Sequence, residues 1–173
     1  PWMGIALDEK NKIGYVSTGN PRPAMCGITR KGDNKKSNSI VAIELVHEKI
    51  LWTFQEVAHD LWDFDIGCPP LLTEIKFDKK FLEVVVCTTK TGNTFILERK
   101  TGKSLFDIDF KNIPISNIPS QEIWQQIDLV KPKNISNVEY NENSFNKLSN
   151  NKKDKIYEIL ENSDIGWFQP PTF

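Results

Sequence analysis

The sequence has few of the residues from which metal and covalent catalytic sites are most often built. It contains two histidines, His47 and His59, and neither stands at metal-ligand spacing with a cysteine or with the other. A zinc site is therefore not indicated. No serine or cysteine stands in a G-x-S-x-G elbow, so the sequence does not support nucleophilic catalysis of that kind. The three cysteines form no C-x-x-C pair, and their odd number cannot close fully into disulfides.

Net charge and long apolar runs are lacking as well. The chain has 22 Lys and Arg against 23 Asp and Glu, so no overall field recruits nucleic acid, which we do not expect as a partner. No apolar run approaches the ~20 residues of a membrane span. The first residues, PWMGIALDEKNK, have neither a basic nor an apolar segment typical of a signal peptide. We expect a chain that was processed or cut from a longer protein.

A repeat is the clearest organising feature of the chain. The segment VAIELVHEKILW, 41–52, aligns with FILERKTGKSLF, 95–106, which begins 54 positions later. Each copy predicts a β-hairpin whose last aromatic residue, Trp52 or Phe106, docks on a neighbouring unit. The second copy has Gly102 in its turn, where glycine supplies positive φ, whereas the first has Glu48, which weakens the match.

Two further strands precede each hairpin, which gives four antiparallel strands per repeat. Small four-stranded sheets that recur at such a period are typical of β-propeller blades. We predict an all-β chain with one blade over 1–57 and a second over 68–109. Two blades cannot close a ring of about 4 to 8, so the chain is expected to be part of a larger propeller. Residues 110–173 predict an irregular excursion over the surface, with a short helix over 154–162.

Three aspartates, Asp60, Asp63 and Asp65, lie among the aromatic residues of the stretch VAHDLWDFDIGCPP. A carboxylate that is partly desolvated beside aromatic rings is costly unless it is paired, and a hard cation such as Ca²⁺ would pair it. The alternative is structural: Asp60 caps a turn, and Asp63 and Asp65 face water. A third interpretation, a glycosidase that uses Asp60 and Asp63 as acid and base, needs a sugar cleft that nothing else in the sequence indicates.

Two related segments, STGNP (17–21) and TKTGN (89–93), follow the second strand of each predicted blade. Loops at that position of a propeller gather around the central channel. Asn20 offers a neutral carbonyl oxygen that suits a hard cation, and Lys90 offers a positively charged donor. Taken singly, both segments are better explained as ordinary hairpin turns, and Lys90 as a surface lysine.

These elements together resemble the pyrroloquinoline-quinone (PQQ)-dependent alcohol and sugar dehydrogenases. The resemblance rests most firmly on HDLWDFD and TKTGN, and also covers GYVSTGNPRP, RKGDNKKSNSIVAIEL and GWFQPPTF. It implies an eight-bladed propeller of which this chain is an internal part, with the quinone lying on a metal ion in the channel. It also implies a periplasmic enzyme with an alcohol or sugar substrate and a quinone or cytochrome c as electron acceptor; membrane association stays open.

The resemblance assigns roles to four residues. Asp63 matches the catalytic base that takes the proton of the substrate hydroxyl, and Lys90 matches the residue that hydrogen-bonds the quinone. Asn20, Asp63 and Asp65 match metal-ligand positions, for Ca²⁺, Mg²⁺ or a lanthanide. Ala24 stands where methanol-oxidising members have an aromatic residue, which implies a roomier substrate pocket.

Other parts of the family pattern are missing here: a glutamate metal ligand, a tryptophan that stacks on the quinone and a pair of adjacent cysteines. We therefore expect the chain to be inactive alone. The competing interpretation is a non-catalytic propeller scaffold, like the outer-membrane assembly lipoproteins built from similar repeats. Such a scaffold has no chemical reason to keep Asn20, Asp63 and Lys90 together.

Overall fold

The computed structural model describes residues 3–136 and 142–172, so the remaining residues of the predicted blade and excursion ranges (1–2, 137–141 and 173) lie outside it. Most regular structure is antiparallel β-sheet. The first sheet runs in chain order through β1 (Ile5–Asp8), β2 (Ile13–Ser17), β3 (Ser39–Glu44) and β4 (Lys49–Gln55). The second contains β5 (Leu71–Phe77), β6 (Lys80–Thr88) and β7 (Thr94–Glu98). Two successive up-and-down sheets confirm the predicted pair of blade-like units.

The second sheet has three strands where four were predicted. Its fourth strand is reduced to one bridge between Leu97 and Ser104. The hydroxyl of Ser104 donates a hydrogen bond to the carbonyl oxygen of Phe106 (2.8 Å), which turns the chain away from the sheet. Phe106 then packs edge-on against Phe77 of β5, with ring centroids 5.7 Å apart. The aromatic residue that ends the second repeat therefore contacts its own sheet.

The predicted docking of Trp52 on a neighbouring unit is confirmed. Its indole nitrogen donates a hydrogen bond to the carbonyl oxygen of Arg99 in the second sheet's hairpin (3.1 Å). Its ring lies so close to Gly102 that a β-carbon there would come within 2.6 Å of it. Gly102 has φ 70°, and Glu48, its counterpart in the first hairpin, has φ 55°. The two turns thus share a backbone conformation although only one has glycine.

The two sheets share one hydrophobic core. Tyr15 is fully buried there and donates its hydroxyl to the carbonyl oxygen of Arg99 (3.1 Å). The Arg99 guanidinium also pairs with Asp8 of the first sheet (3.3 Å). The core draws its buried residues from both sheets, the connection between them and the following segment: Tyr15, Ile40, Ala42, Ile66, Val85, Cys87, Phe95, Leu97, Ile127 and Leu129. Burial of this shared face holds the sheets against each other.

After the second sheet the chain is largely irregular, as predicted. It forms a two-stranded sheet, β8 (Asp109–Lys111) with β9 (Gln126–Asp128), then a 3₁₀ turn (Glu142–Phe145) and helix α1 (Asn150–Glu161). The predicted helix is confirmed and begins four residues earlier than expected. Not all of the segment is superficial, because Ile127 and Leu129 enter the shared core. No helix within the described ranges is long and apolar enough to cross a bilayer.

Candidate functional site

The four residues predicted from the sequence to form a site lie on three loops. Asn20 is in the loop after β2, and Lys90 is in the loop after β6. Because β2 and β6 are each the second strand of their sheet, these loops leave the two sheets at equivalent positions. Asp63 and Asp65 lie in the connection between β4 and β5, which joins the sheets. The fold therefore has the means to bring all four together.

The Lys90 ammonium contacts both aspartates. Its nitrogen lies 3.1 Å from Oδ2 of Asp63 and 2.7 Å from Oδ2 of Asp65. It also donates a hydrogen bond to the backbone carbonyl oxygen of Asp63 (2.9 Å). Charge-assisted hydrogen bonds of this length are stronger than neutral ones. A single cationic group thus bridges two carboxylates.

Asn20 approaches the same two carboxylates from the other loop. Its backbone N–H donates to Oδ1 of Asp65 (2.6 Å), and its side-chain amide donates to Oδ1 of Asp63 (2.7 Å). Each aspartate therefore has one oxygen toward Asn20 and the other toward Lys90. The structure places each of the two acids within hydrogen-bond distance of both Asn20 and Lys90.

Exposure separates the two acids. The side chain of Asp65 is 9% exposed and that of Asp63 is 41% exposed, so Asp63 is the carboxylate that a solute can reach. Burial lowers the pKa of Lys90, but its hydrogen bonds to Asp65 and Asp63 and their charges raise it by more, and the net shift is upward. Lys90 is consequently a firmly charged donor, partly open to solvent.

Asp60 organises the loop that carries Asp63. It is fully buried and accepts hydrogen bonds from the backbone N–H groups of Trp62 (2.8 Å) and Phe64 (2.9 Å), and from the side chain of Asn38 (2.9 Å). Burial raises the pKa of Asp60, although these hydrogen bonds act in the opposite direction. The turn-capping role that the structural alternative gives Asp60 is confirmed, whereas Asp65, which that alternative places in water, is nearly buried. A buried carboxyl with both oxygens engaged is unsuited to the glycosidase alternative.

The backbone of the loop that carries Asp63 has an unusual conformation. Asp63 has φ 63°, in the left-handed region that non-glycine residues seldom adopt. Aspartate tolerates this region better than β-branched residues do. The conformation is accompanied by the two flanking amide contacts to Asp60, so the carboxylate of Asp63 leaves a tightly turned segment.

An aromatic cluster from the end of the chain borders the aspartate loop. The indole nitrogen of Trp62 donates to the carbonyl oxygen of Gln169 (2.7 Å). Phe168 packs edge-on against Trp62 and Phe64, with centroid distances of 5.0 and 5.6 Å. Phe64 also contacts Trp167 at 5.1 Å. The segment of Trp167 and Phe168 therefore packs beside the site.

Sequence reasoning missed one buried group beneath the Lys90 loop. Glu56, just after β4, is 3% exposed and accepts hydrogen bonds from the side chains of Thr89 (2.8 Å), Thr91 and Asn93 (3.1 Å). Burial raises the pKa of Glu56 to about 7, against the effect of those hydrogen bonds. The sequence offered one signal of such a group. In TKTGN every second residue is polar and can face inward, on both sides of Lys90.

The oxygen donors here are those of Asp63, Asp65 and Asn20. Within residues 3–136 and 142–172, no group of three or more His, Cys, Asp or Glu residues is placed to hold a metal ion. The two carboxylates nevertheless share one cationic partner, the Lys90 ammonium. Ca²⁺ takes 6 to 8 oxygen ligands, so these residues form only part of such a coordination sphere.

Comparison with known proteins gives a consistent family. The family model described as "PQQ: Glucose/ethanol/alcohol dehydrogenase, beta-propeller domain" matches residues 1–173. Quinoprotein glucose dehydrogenase A of Acinetobacter calcoaceticus is 36% identical over 115 residues, which are 65% of this chain and 14% of that protein. The chain thus spans a small part of the length of its curated relative.

Solved structures that resemble this chain are also dehydrogenases. The quinohemoprotein alcohol dehydrogenase of Comamonas testosteroni superposes with a TM-score of 0.56 at 33% identity, over 61% of this chain and 16% of that one. A europium-containing methanol dehydrogenase superposes with a TM-score of 0.56 at 26% identity, over 62% of this chain and 19% of that one. The two sheets are accordingly part of a β-propeller.

Proposed function

The chain belongs to the β-propeller family of PQQ-dependent glucose, ethanol and alcohol dehydrogenases, and we propose that it supplies part of the active site of such an oxidoreductase. The substrate is the hydroxyl group of an alcohol or a sugar. The observation that carries the proposal is the bridge that the Lys90 ammonium makes between Asp63 and Asp65, both of which Asn20 also contacts. Three separate loops converge there on one partly open point.

The donor set fits a divalent or trivalent cation. Two carboxylates against one ammonium leave the cluster with a net negative charge, which an added cation would balance. Asp63, Asp65 and the amide oxygen of Asn20 would contribute ligands, and further ligands would come from other groups. Calcium, magnesium and a lanthanide all remain candidates; one structural neighbour is named as a europium-containing enzyme.

Lys90 would serve the quinone. The raised pKa of its ammonium keeps it charged at neutral pH, and its side chain is 37% exposed. A charged donor of this kind can hydrogen-bond an electron-rich carbonyl oxygen and orient the ring. A quinone held by Lys90 would supply the hydride acceptor, and a cation held by Asp63, Asp65 and Asn20 would supply a Lewis acid beside it.

Asp63 would act as the general base. It is the more exposed of the two acids, so a substrate hydroxyl can approach its carboxylate and deliver a proton to it. Asp65, nearly buried and bonded to Asn20 and Lys90, would hold the two loops in register. The positive φ of Asp63 and the amide bonds to Asp60 direct the base toward the shared point.

The wider assignments follow from the family. We propose a periplasmic location, with a quinone or cytochrome c as the electron acceptor. A non-catalytic propeller scaffold is the second candidate function, and the repeated sheets would serve it equally well. The convergence of Asn20, Asp63 and Lys90 favours the enzyme, because packing between blades does not require an acid, an amide and an amine at one point.

Quinone binding tests this proposal. PQQ would be titrated into the protein that carries this chain, with and without Ca²⁺, and binding followed by absorbance and tryptophan fluorescence. We expect cation-dependent binding that Lys90→Ala weakens by roughly ten- to a hundredfold, the loss expected for a charge-assisted hydrogen bond. Lys100→Ala, at an exposed lysine in a hairpin turn of the same sheet, is the matched control. Equal binding by both variants would remove Lys90 from the quinone site.

A further inference from the structure

The loop that presents Lys90 is anchored from beneath by one buried carboxyl group. A single oxygen of Glu56, Oε1, accepts hydrogen bonds from three side chains of the loop: Thr89, Thr91 and Asn93. All three are buried, whereas Lys90 between them is exposed. Glu56 itself lies at the end of the first sheet, and the loop belongs to the second. The contact therefore joins the two sheets directly under the site.

Other hydrogen bonds also hold the loop, among them one from the Ile135 N–H to the Gly92 carbonyl (2.9 Å). Its backbone closes on itself through two hydrogen bonds, from Thr89 N–H to the Asn93 carbonyl (3.1 Å) and from Gly92 N–H to the Thr89 carbonyl (3.0 Å). These bonds define a tight turn but do not relate it to Asp63 or Asp65, which sit on another segment. The Glu56 contacts add a second relation to the one that Lys90 itself makes with the two aspartates, because β4 leads directly into the aspartate loop.

We propose that Glu56 is a positioning residue that holds the Lys90 ammonium between Asp63 and Asp65. Its side chain acts through Thr89, Thr91 and Asn93 and does not touch substrate or quinone. The functional consequence rests on the role proposed above for Lys90. The structural consequence, a fixed Lys90, can be measured without any cofactor.

Hydrogen bonding explains why an acid occupies this position. Three buried donors converge on one acceptor, and its loss would remove this shared partner in a site without solvent access; the Thr89 and Thr91 hydroxyls would keep each other (2.9 Å), and Thr89 also the Asn93 carbonyl (3.4 Å). The second oxygen, Oε2, has no hydrogen-bond partner among the residues that the structure describes. Glutamine would keep the accepting oxygen, lose the capacity to ionise and place an NH₂ group where Oε2 now has no partner. Leucine, of similar size, would remove the acceptor entirely.

Hydrogen exchange tests the position of Lys90 directly. The exchange rates of the Lys90 ammonium protons and the Gly92 amide would be measured by NMR in Glu56→Leu, Glu56→Gln and Ile40→Ala. Ile40 is a fully buried core residue of β3, so Ile40→Ala is a control for lost stability alone. We expect Glu56→Leu to speed exchange at Lys90 and Gly92 roughly tenfold more than at β3 amides, which indicates local opening.

The conservative variant Glu56→Gln should keep Lys90 in its position. Glu56→Gln is expected to leave exchange at Lys90 and Gly92 within about twofold of the parent protein, because one acceptor oxygen remains. Ile40→Ala should change both regions alike. If Glu56→Leu does not fold, Thr91→Val removes one donor with little change of shape and should still speed exchange at Lys90. Uniform acceleration in Glu56→Leu and Thr91→Val, matching Ile40→Ala, would overturn the proposal.

Quinone affinity separates this inference from the proposed function. If Glu56 acts through Lys90, Glu56→Leu should weaken PQQ binding roughly tenfold in the parent protein and have no further effect in a Lys90→Ala background. Equal losses in both backgrounds would contradict the positioning role. Unchanged affinity in Lys90→Ala alone would instead contradict the role of Lys90 at the quinone, and the exchange rates would still decide whether Glu56 positions it.

Discussion

The loops after β2 and β6 occupy equivalent places in the two sheets, and both contain Thr-Gly-Asn, yet they are held differently. The first is tied to the start of β3 by uncharged groups: the Thr18 hydroxyl donates to the Ser39 carbonyl (3.2 Å), and the Asn38 N–H donates to the Gly19 carbonyl (3.0 Å). The second is tied to a buried carboxyl group, that of Glu56.

This difference separates two ways of supporting a binding site. The Asn20 loop is tied to β3 by neutral hydrogen bonds, and Asn20 itself donates to the carboxylates of Asp63 and Asp65. The Lys90 loop rests on a group that can ionise, in a place where burial opposes the charged form. The two loops meet at Asp63, which contacts Asn20 on one side and Lys90 on the other. Substitutions at Asp63, at Glu56 and in the two hairpin turns therefore test this comparison.

The shared acid should give the largest effect. We expect Asp63→Asn to reduce dye-linked alcohol or sugar oxidation by about 10²- to 10⁴-fold in a protein that carries this chain, because an amide cannot accept the hydroxyl proton. The fold should persist, since the new side chain keeps an oxygen that can accept a hydrogen bond from Lys90. Activity would be measured with an artificial electron acceptor.

The matched control for that loss is Asp107→Asn, at an exposed aspartate after the second hairpin. It removes the same charge far along the chain from the loops that meet at Asp63. If the two variants were equally active, Asp63 would not be the catalytic acid that the two loops contact.

The buried carboxyl should make stability depend on pH. Burial raises the pKa of Glu56 to about 7, the charge of Asp60 adds a smaller upward effect, and the hydrogen bonds from Thr91, Thr89 and Asn93 oppose it. Between the ordinary pKa of 4.5 and about 7 the unfolded chain has lost the proton that the folded chain keeps. The contribution of Glu56 to the free energy of unfolding should therefore fall by about 3 kcal/mol as pH rises through this window, and stay level outside it.

Glu56→Gln isolates that contribution, because glutamine does not titrate. Urea unfolding at several pH values should show a difference between parent and variant that changes between pH 4.5 and 7. A difference that is constant with pH would mean that Glu56 is charged in the folded protein, and that the two loops are supported in equivalent ways.

The repeat and the hydrophobic alternation were enough to predict the paired sheets and the loops that carry Asn20 and Lys90. The spacing between strands can be read from a short stretch of sequence. Because the two repeats have the same spacing, the loops after their second strands are expected at equivalent places in the two sheets. The family resemblance then pointed to Asp63 and Asp65. Their contacts with Asn20 and Lys90 agree with the expected convergence, while their chemical roles stay predictions.

What the sequence did not predict depends on contacts between distant segments. The anchoring role of Glu56 requires residues 33 to 37 positions away, so the alternation in TKTGN could indicate inward-facing polar residues but not the group that they contact. The fourth strand of the second sheet failed to form because Ser104 and Phe106 bond to each other and the chain turns aside. Such competition between a strand and a local turn is not decided by apolar alternation alone.

The hairpin turns extend the comparison between the sheets. Gly102→Ala should lower the free energy of unfolding by about 2 kcal/mol, because alanine is disfavoured at φ 70° and its β-carbon would meet the Trp52 ring at 2.6 Å. Thermal or urea unfolding measures the loss. The same substitution paired with Trp52→Leu should cost less, since the ring contributes to the clash. An equal loss in both backgrounds would attribute the effect to the backbone alone.

The first hairpin should respond in the opposite direction and by the smallest amount. Glu48 has φ 55° and is exposed, so the left-handed backbone is strained there without a packing contact to enforce it. Glu48→Gly relieves that strain, worth about 1 kcal/mol, but increases the freedom of the unfolded chain, which offsets part of the gain. We expect a net stabilisation of about 0.5 kcal/mol by urea unfolding. A destabilised variant would show that the two turns, though alike in backbone conformation, are not equivalent in energy.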